Sequence, residues 1–384
     1  MRFSNKNIWQ TIKLNEYADF LQGLTYSPNN VSTTGRLVLR SSNIQNSKLD
    51  FSDKVYVNMD IPAKISTKEN DVLMCVRNGS KNLVGKTALI TKEFENLAWG
   101  AFMNIIRPRD GKTFLFHFLN SQYFKNQIKA DLNTATVNQI TIGTLNQCKI
   151  SIPLSEIEKD KICIFFDLLD QRINTQSKII NDLEFQKKGL FDKLIKQNKS
   201  LWQKVKLSSI LHERKTYATK DNSYPHATLS KEGISAKTDR YDRDFLVKDE
   251  EKEYKITHLN DICYNPANLK FGVICRNTFG SAIFSPIYVT YEVSSKCNPS
   301  FIELILTNKN FLNYIRKYEQ GTVYERMAVN SEDFLKGEIA IPELEEQNKI
   351  TKIFTIIDDK IQIEKDTLEL YKQQKTYLLR NLFI

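Results

Sequence analysis

Two stretches of the chain repeat apolar residues in alternating steps of four and three. The first runs Ile162, Phe166, Leu169, Ile173, Gln176, Ile180, Leu183, Lys187, Leu190 and Leu194; the second runs Ile350, Phe354, Ile357, Ile361, Glu364, Leu368, Tyr371, Lys375, Leu378 and Leu382. That spacing places one narrow seam along a helix, which a second helix must cover. A single such stretch would read as an ordinary core helix, but two matched ones predict that they pair. Both seams turn polar at the same two steps, Gln176 with Glu364 and Lys187 with Lys375. Pro153 and Pro342 bar helix from continuing upstream, and Ser155 with Glu158 offers a capping box for the first rod. Roughly 38 residues at 1.5 Å each predict rods about 57 Å long.

The rest of the chain repeats as well. Trp9-Gln10-Thr11-Ile12-Lys13-Leu14 returns as Trp202-Gln203-Lys204-Val205-Lys206-Leu207, and Asn70-Asp71-Val72 as Asn260-Asp261-Ile262. Val84-Gly85 returns as Phe271-Gly272, residues 114–128 as 301–315, and Ile150-Ser151-Ile152-Pro153 as Ile339-Ala340-Ile341-Pro342. Six matches in one order at nearly constant offset mean a duplicated chain. Short β-branched and aromatic runs such as residues 72–76 and 283–289 read as strands, and residues 114–129 with their copy as one internal helix. The expected class is α+β. Two mixed domains, 1–153 and 201–342, alternate with helical regions, 154–200 and 343–384. If a pseudo-twofold relates the copies, the rods pair as an antiparallel coiled coil.

Charge adds a partner to this layout. The 384 residues carry a net charge of +10. Residues 1–153 hold 19 Lys and Arg against 11 Asp and Glu, residues 201–342 hold 20 against 18, and the rods are near neutral. Clustered cations release condensed counterions on meeting phosphates, so the mixed domains, chiefly the first, are the expected polyanion surfaces. The rods then read as protein-contacting elements. The six cysteines are scattered with no C-x-x-C pair, and no apolar run approaches a membrane span, which predicts a cytoplasmic chain with reduced thiols.

Catalytic signatures are missing. Four histidines form no H-E-x-x-H, no Cys/His set suits zinc, and neither a phosphate-binding glycine loop nor a G-x-S-x-G elbow occurs. Asn265-Pro266-Ala267-Asn268 matches only half of the N-P-P-[FYW] tetrapeptide of amino-methyltransferases and reads as a turn. No catalytic residue and no metal ligand is assigned, which favours a binding protein over an enzyme.

Arg, Asn and Ser gathered on loops can hold phosphates or bond to base edges. In the first domain the candidates are Arg36, Arg40, Asn43, Arg77, Asn78, Ser80, Lys81, Asn82 and Lys86. In the second they are Lys231, Lys237, Arg240, Arg243, Asn265, Asn268, Lys270, Arg276, Asn277 and Arg326. In its duplicated pattern the chain resembles the specificity subunits of type I restriction-modification enzymes over nearly its whole length. The two Trp-led hexapeptides are similar to that family's W-x-x-x-x-L opening. Pro342, Glu346, Gln347 and Ile350 are similar to its P-x-x-x-E-Q-x-x-I helix start; the first copy departs, with Glu158-Lys159 for E-Q and one extra residue after Pro153.

The resemblance implies two target-recognition domains, each reading half of a split duplex DNA site, with the rods setting the spacer and docking two methyltransferase subunits. It also implies that S-adenosylmethionine, ATP and Mg are used by the partner modification and restriction subunits, and that this chain holds no cofactor. The rival expectation is a coiled-coil scaffold or adaptor whose duplicated domains bind proteins.

Overall fold

The structure is a computed structural model that describes residues 9–134, 138–198, 201–219, 224–237, 253–321 and 327–383. It divides into two compact units. The first comprises Met1–Ile180 with Ile363–Ile384, the second Asn181–Gln362. Each unit therefore takes one mixed domain together with parts of both long helices, Glu156–Asn198 and Leu344–Leu382.

In the first unit the opening strand Trp9–Lys13 pairs antiparallel with Lys149–Pro153, Trp9 facing Pro153. The chain thus returns to its starting point immediately before the long helix. A four-stranded antiparallel sheet follows in the order Ala18–Gln22, Met103–Pro108, Val72–Cys75, Thr87–Leu89. A second four-stranded sheet contains Arg36–Leu39 and Ala98–Trp99 as a parallel pair.

The second unit repeats the frame. Its strand Gln203–Lys206 pairs with Glu338–Ile341, and its main sheet runs Leu211–Glu213, Val289–Val293, Ile262–Tyr264, Ile274–Arg276. The predicted strand over 283–289 is instead two, Ala282–Phe284 and Val289–Val293. Pro286 lies between them and has no N–H to give a ladder.

The repeated Asn-Asp dipeptide explains itself. Asn70 and Asn260 both turn left-handed, at φ 65° and 72°. That turn tucks Asp71 and Asp261 inside, where each accepts a backbone N–H, from Lys68 and His258, at 2.8 Å. Arg107 forks onto Asp71 at 2.7 Å through two nitrogens, and Arg214 onto Asp261 at 3.0 and 3.1 Å. Gly85 and Gly272, the repeated glycines, both take the left-handed φ that a side chain disfavours, 84° and 81°.

The internal helix also differs from the sequence expectation, since it is two helices in each unit. Phe114–Leu119 is followed by Gln122–Thr134, and Pro299–Leu306 by Lys309–Ile315. Asn308 caps the later helix by accepting the N–H of Asn310, and Ser121 Oγ accepts from Phe124 N. Such side chains offer the backbone a start as readily as a continuation.

The long helices pair antiparallel within each unit. In the first, Asp170 meets Lys375 at 2.5 Å, the Arg172 guanidinium lies 5.5 Å from the Tyr371 ring centre, and the Gln176 amide donates to the Glu364 carboxylate and, at 3.1 Å, to its carbonyl. In the second, Lys187 meets Asp358 at 2.5 Å and Phe191 packs edge-on against Phe354. One residue number rises as its partner's falls. Gln176 and Glu364 occupy equivalent steps and bond to each other, while the two Lys–Asp pairs exchange partners, as antiparallel duplicates must.

Ile162, Phe166, Leu169, Ile180, Ile350, Phe354, Ile361 and Leu382 are buried, and Ile173, Leu183, Leu194, Ile357, Leu368, Tyr371 and Leu378 half-buried. Leu190 is not in the seam. It is 42% exposed, and Phe191 is buried in its place, as Leu379 is in the other helix. A straight helix drifts about 20° per heptad from a strict 3.5-residue repeat, and by this point the next residue has come round. The capping box also forms only in part. Ser155 Oγ accepts from Glu158 N at 3.4 Å, but the Glu158 carboxylate takes the Trp9 indole N–H instead.

Candidate nucleic-acid interface

The sequence candidates separate once their partners are known. Asn43 is buried, accepting Arg40 N–H and donating to the carbonyls of Asp50 and Asp53. Asn277 is likewise buried, tied to Thr257 Oγ1 and to the backbone of residues 279 and 280. Both amides are spent inside their own loops. Arg36 lies on a strand, not a loop, and bonds to Ser66; Arg40 pairs with Asp53. Arg276 is held by Glu303 and Asn260.

The remaining candidates of the first unit gather on one loop. Arg77, Ser80, Lys81, Asn82 and Lys86 are exposed, and Asn78 is half-buried, its amide donating to Ser41 Oγ while its oxygen accepts Ser80 N–H. Asn138 closes the loop from the far side, donating to the Gly79 carbonyl at 3.0 Å. The Arg77 guanidinium sits 5.2 Å from the ring centre of Phe102, an exposed aromatic that polar-residue counting passes over.

The second unit carries a parallel arrangement. Asn265 caps the turn Pro266–Phe271, Asn268 is half-buried on it, and exposed Lys270 lies 5.2 Å from the ring of exposed Phe271. Lys231 stands at the tip of the hairpin formed by Ala227–Ser230 and Gly233–Ala236, with half-buried Lys237 at its base. Arg240, Arg243 and Arg326 lie outside the described residues. Both domains thus present a cation against an exposed phenyl ring, Arg77 against Phe102 of a separate turn and Lys270 against its chain neighbour Phe271.

Nucleophilic chemistry finds little support. Burial pushes the Cys75 thiol up to about 11 and the Cys263 and Cys275 thiols up to about 12. Among the described residues no cluster of His, Cys, Asp or Glu could hold a metal ion, and no helix is long and apolar enough to cross a membrane.

Comparison with known proteins adds the family. The model of the type I restriction modification DNA specificity domain matches residues 7–184 and again 199–372. The StySPI type I restriction enzyme specificity subunit of Salmonella potsdam is 29% identical over 163 residues, which cover 40% of this chain; the chain spans only 34% of that subunit. The putative MjaX type I restriction enzyme specificity subunit of Methanocaldococcus jannaschii is 24% identical, the alignment covering 97% of this chain and 92% of that one. A solved S subunit of a type I restriction-modification system from M. genitalium shares the fold at TM-score 0.58 and 14% identity, covering 99% and 97%.

Proposed function

Because the chain belongs to the type I restriction modification DNA specificity family, we propose that it is the DNA-recognition subunit of such a complex, with domains 1–153 and 201–342 each reading one half of a bipartite duplex site. The observation that carries this reading is the duplicated frame: the same main-sheet strand order and the same buried Asp held by an Arg, though from a different strand in each copy, with a cation beside an exposed ring in both. The helical regions 154–200 and 343–384 set the spacing between half-sites. Arg77, Asn78, Ser80, Lys81, Asn82 and Lys86 face the first half-site, and Lys231, Lys237, Asn265, Asn268 and Lys270 the second.

The long helices also expose apolar residues off the seam. Phe165 and Leu168 in the first unit match Ile353 and Ile356 in the second, position for position. Apolar side chains held in water at matched sites suit a pair of identical partners, and we assign them to two methyltransferase subunits, with restriction subunits joining that core. Those partners carry S-adenosylmethionine, ATP and Mg, and the complex acts in the cytoplasm.

Selection from randomised duplexes, with the modification subunit present, tests the proposal. Two short motifs at fixed spacing are expected; a single contiguous motif, or salt-insensitive binding to protein alone as an adaptor would show, overturns it. Inserting four residues after Ile180 lengthens the rod by ~6 Å and widens the spacer by one or two base pairs. An unchanged spacer removes the ruler from the proposal.

A further inference from the structure

Each of the other four arginines described in residues 9–153 is spent on the protein itself. Arg36 bonds to Ser66, Arg40 to Asp53, Arg107 to Asp71 and Arg109 to Asp19 and the Glu16 carbonyl. Arg77 is the exception among the described residues. It is exposed, its guanidinium lies against the Phe102 ring, and no described residue makes a hydrogen bond or ion pair with its side chain.

Phe102 is exposed by construction. It is 56% accessible although it sits between two residues of a tight turn, with Met103 N donating to the Gly100 carbonyl at 2.9 Å and Gly100 N to that of Leu39 at 2.9 Å. Its own carbonyl receives two N–H groups, from Val76 at 3.0 Å and from Arg77 at 3.2 Å. The ring and the guanidinium that lies on it are therefore fixed to one another through the backbone as well as through their faces. The following loop is equally held, by Asn78 to Ser41, Asn138 to Gly79 and a bridge between Arg77 and Gln139.

A guanidinium backed by an aromatic ring keeps its charge and its forked donors while losing much of its rotational freedom. The fork suits two coplanar acceptors, and the cationic excess of residues 1–153 selects an anionic polymer. In duplex DNA the acceptors are either phosphate oxygens or the O6 and N7 of guanine in the major groove. A phosphate can take the fork from many directions around its oxygens, whereas a guanine edge fixes one plane in which both donors must lie, the case in which aiming the guanidinium beforehand counts most. Resting on the reading of this domain as a half-site reader, we propose that Arg77 reads one guanine of the first half-site and that Phe102 is the positioning residue that aims it.

The test is bound-sequence selection by the complex assembled with modification subunits, run for wild type, Arg77→Lys, Arg77→Ala, Phe102→Ala and Phe102→Trp. Wild type should select a guanine at one position of one half-site. Arg77→Lys and Arg77→Ala should lose roughly 10- to 100-fold of the discrimination there, with the other half-site unchanged; Arg77→Lys should keep the salt dependence of non-specific binding. Phe102→Ala should relax the same position by a smaller factor, and Phe102→Trp should restore it. A uniform loss across all sequences in Arg77→Ala, rescued by Arg77→Lys, would make Arg77 a phosphate contact and overturn the proposal. An unchanged motif in every variant also overturns it. Failure of wild type to select any bipartite motif is a different result, which rejects the functional reading on which this one rests.

Discussion

The two units share a frame but seat their helices differently. In the first, Lys159 at the start of the long helix reaches Asp110 at 3.1 Å; in the second, the equivalent Gln347 accepts the N–H of Asn298 at 2.9 Å. One turn farther in, His117 is fully buried and its Nε2 bonds to Asp167 at 3.0 Å, with Thr113 on the other carboxylate oxygen and Phe166 packed against the ring. The second unit has Leu304 and Thr355 at those positions, and a cavity of about 220 Å³ opens there, bordered by Lys187, Arg276, Glu303 and Asp358. The backbone locks, which every copy needs, are kept. The side chains that fill the space between internal helix and rod are not, and an ion pair or an amide serves equally as a tie.

Breaking the shared lock should have the largest effect. Asp71→Ala strands Arg107 and removes the acceptor for Lys68 N–H, an expected loss of about 3–5 kcal/mol. Hydrogen exchange should show the loss in the first unit's sheet, and Asp261→Ala should place the same loss in the second unit. Protection that falls equally in both units for either variant would mean the frame is not local.

The seam's polar step is next. Gln176→Leu removes an amide donor from Glu364, a charged acceptor, and should cost about 1.5–3 kcal/mol in denaturant unfolding. No loss would mean that the amide contributes register alone.

The histidine supplies a pH test that separates the units. Burial is the main influence on His117 and holds its pKa below the usual histidine range, against the upward pull of Asp167 and Asp170 and alongside the downward push of Lys375. The unfolded chain takes up a proton near pH 6.5 while the folded one does not, so the unfolded state binds more protons and stability falls as pH drops below about 6.5. That loss should appear in the first unit's internal helix and vanish in His117→Leu, which installs the residue found at 304. A pH response that persists in this variant assigns the titration to another group.

The smallest difference lies in the exchanged lysines. Lys375→Met should cost more than Lys187→Met, because the Lys375–Asp170 pair is the more enclosed. Both should lie within about 1 kcal/mol, as partly solvated pairs do, and the order can be read from paired melting curves.

Much of the fold was legible as periodicity and repetition. The 4-3 spacing marked both long helices, and the Trp-led strands and Asn-Asp turns recur as the same objects in both units. The candidate interface was legible only as a set of residue types. Nothing local distinguishes Asn43, whose amide is consumed by carbonyls seven and ten residues away, from Asn82, which lies in the open. Nor could spacing show that Arg276 is tied to Glu303, or that Phe102 would stand beneath Arg77.

By itself, then, the amino-acid order determined that the chain is two copies of a mixed domain and a long helix, with positive charge on the domains. Tertiary structure decided which part of each helix joins which unit, which arginines are spent, and where Phe191 displaces Leu190. Periodicity and charge are properties of neighbours along the chain and survive without a fold. A partner twenty-five residues away, or a helix face after several turns of drift, exists only when the chain has closed on itself.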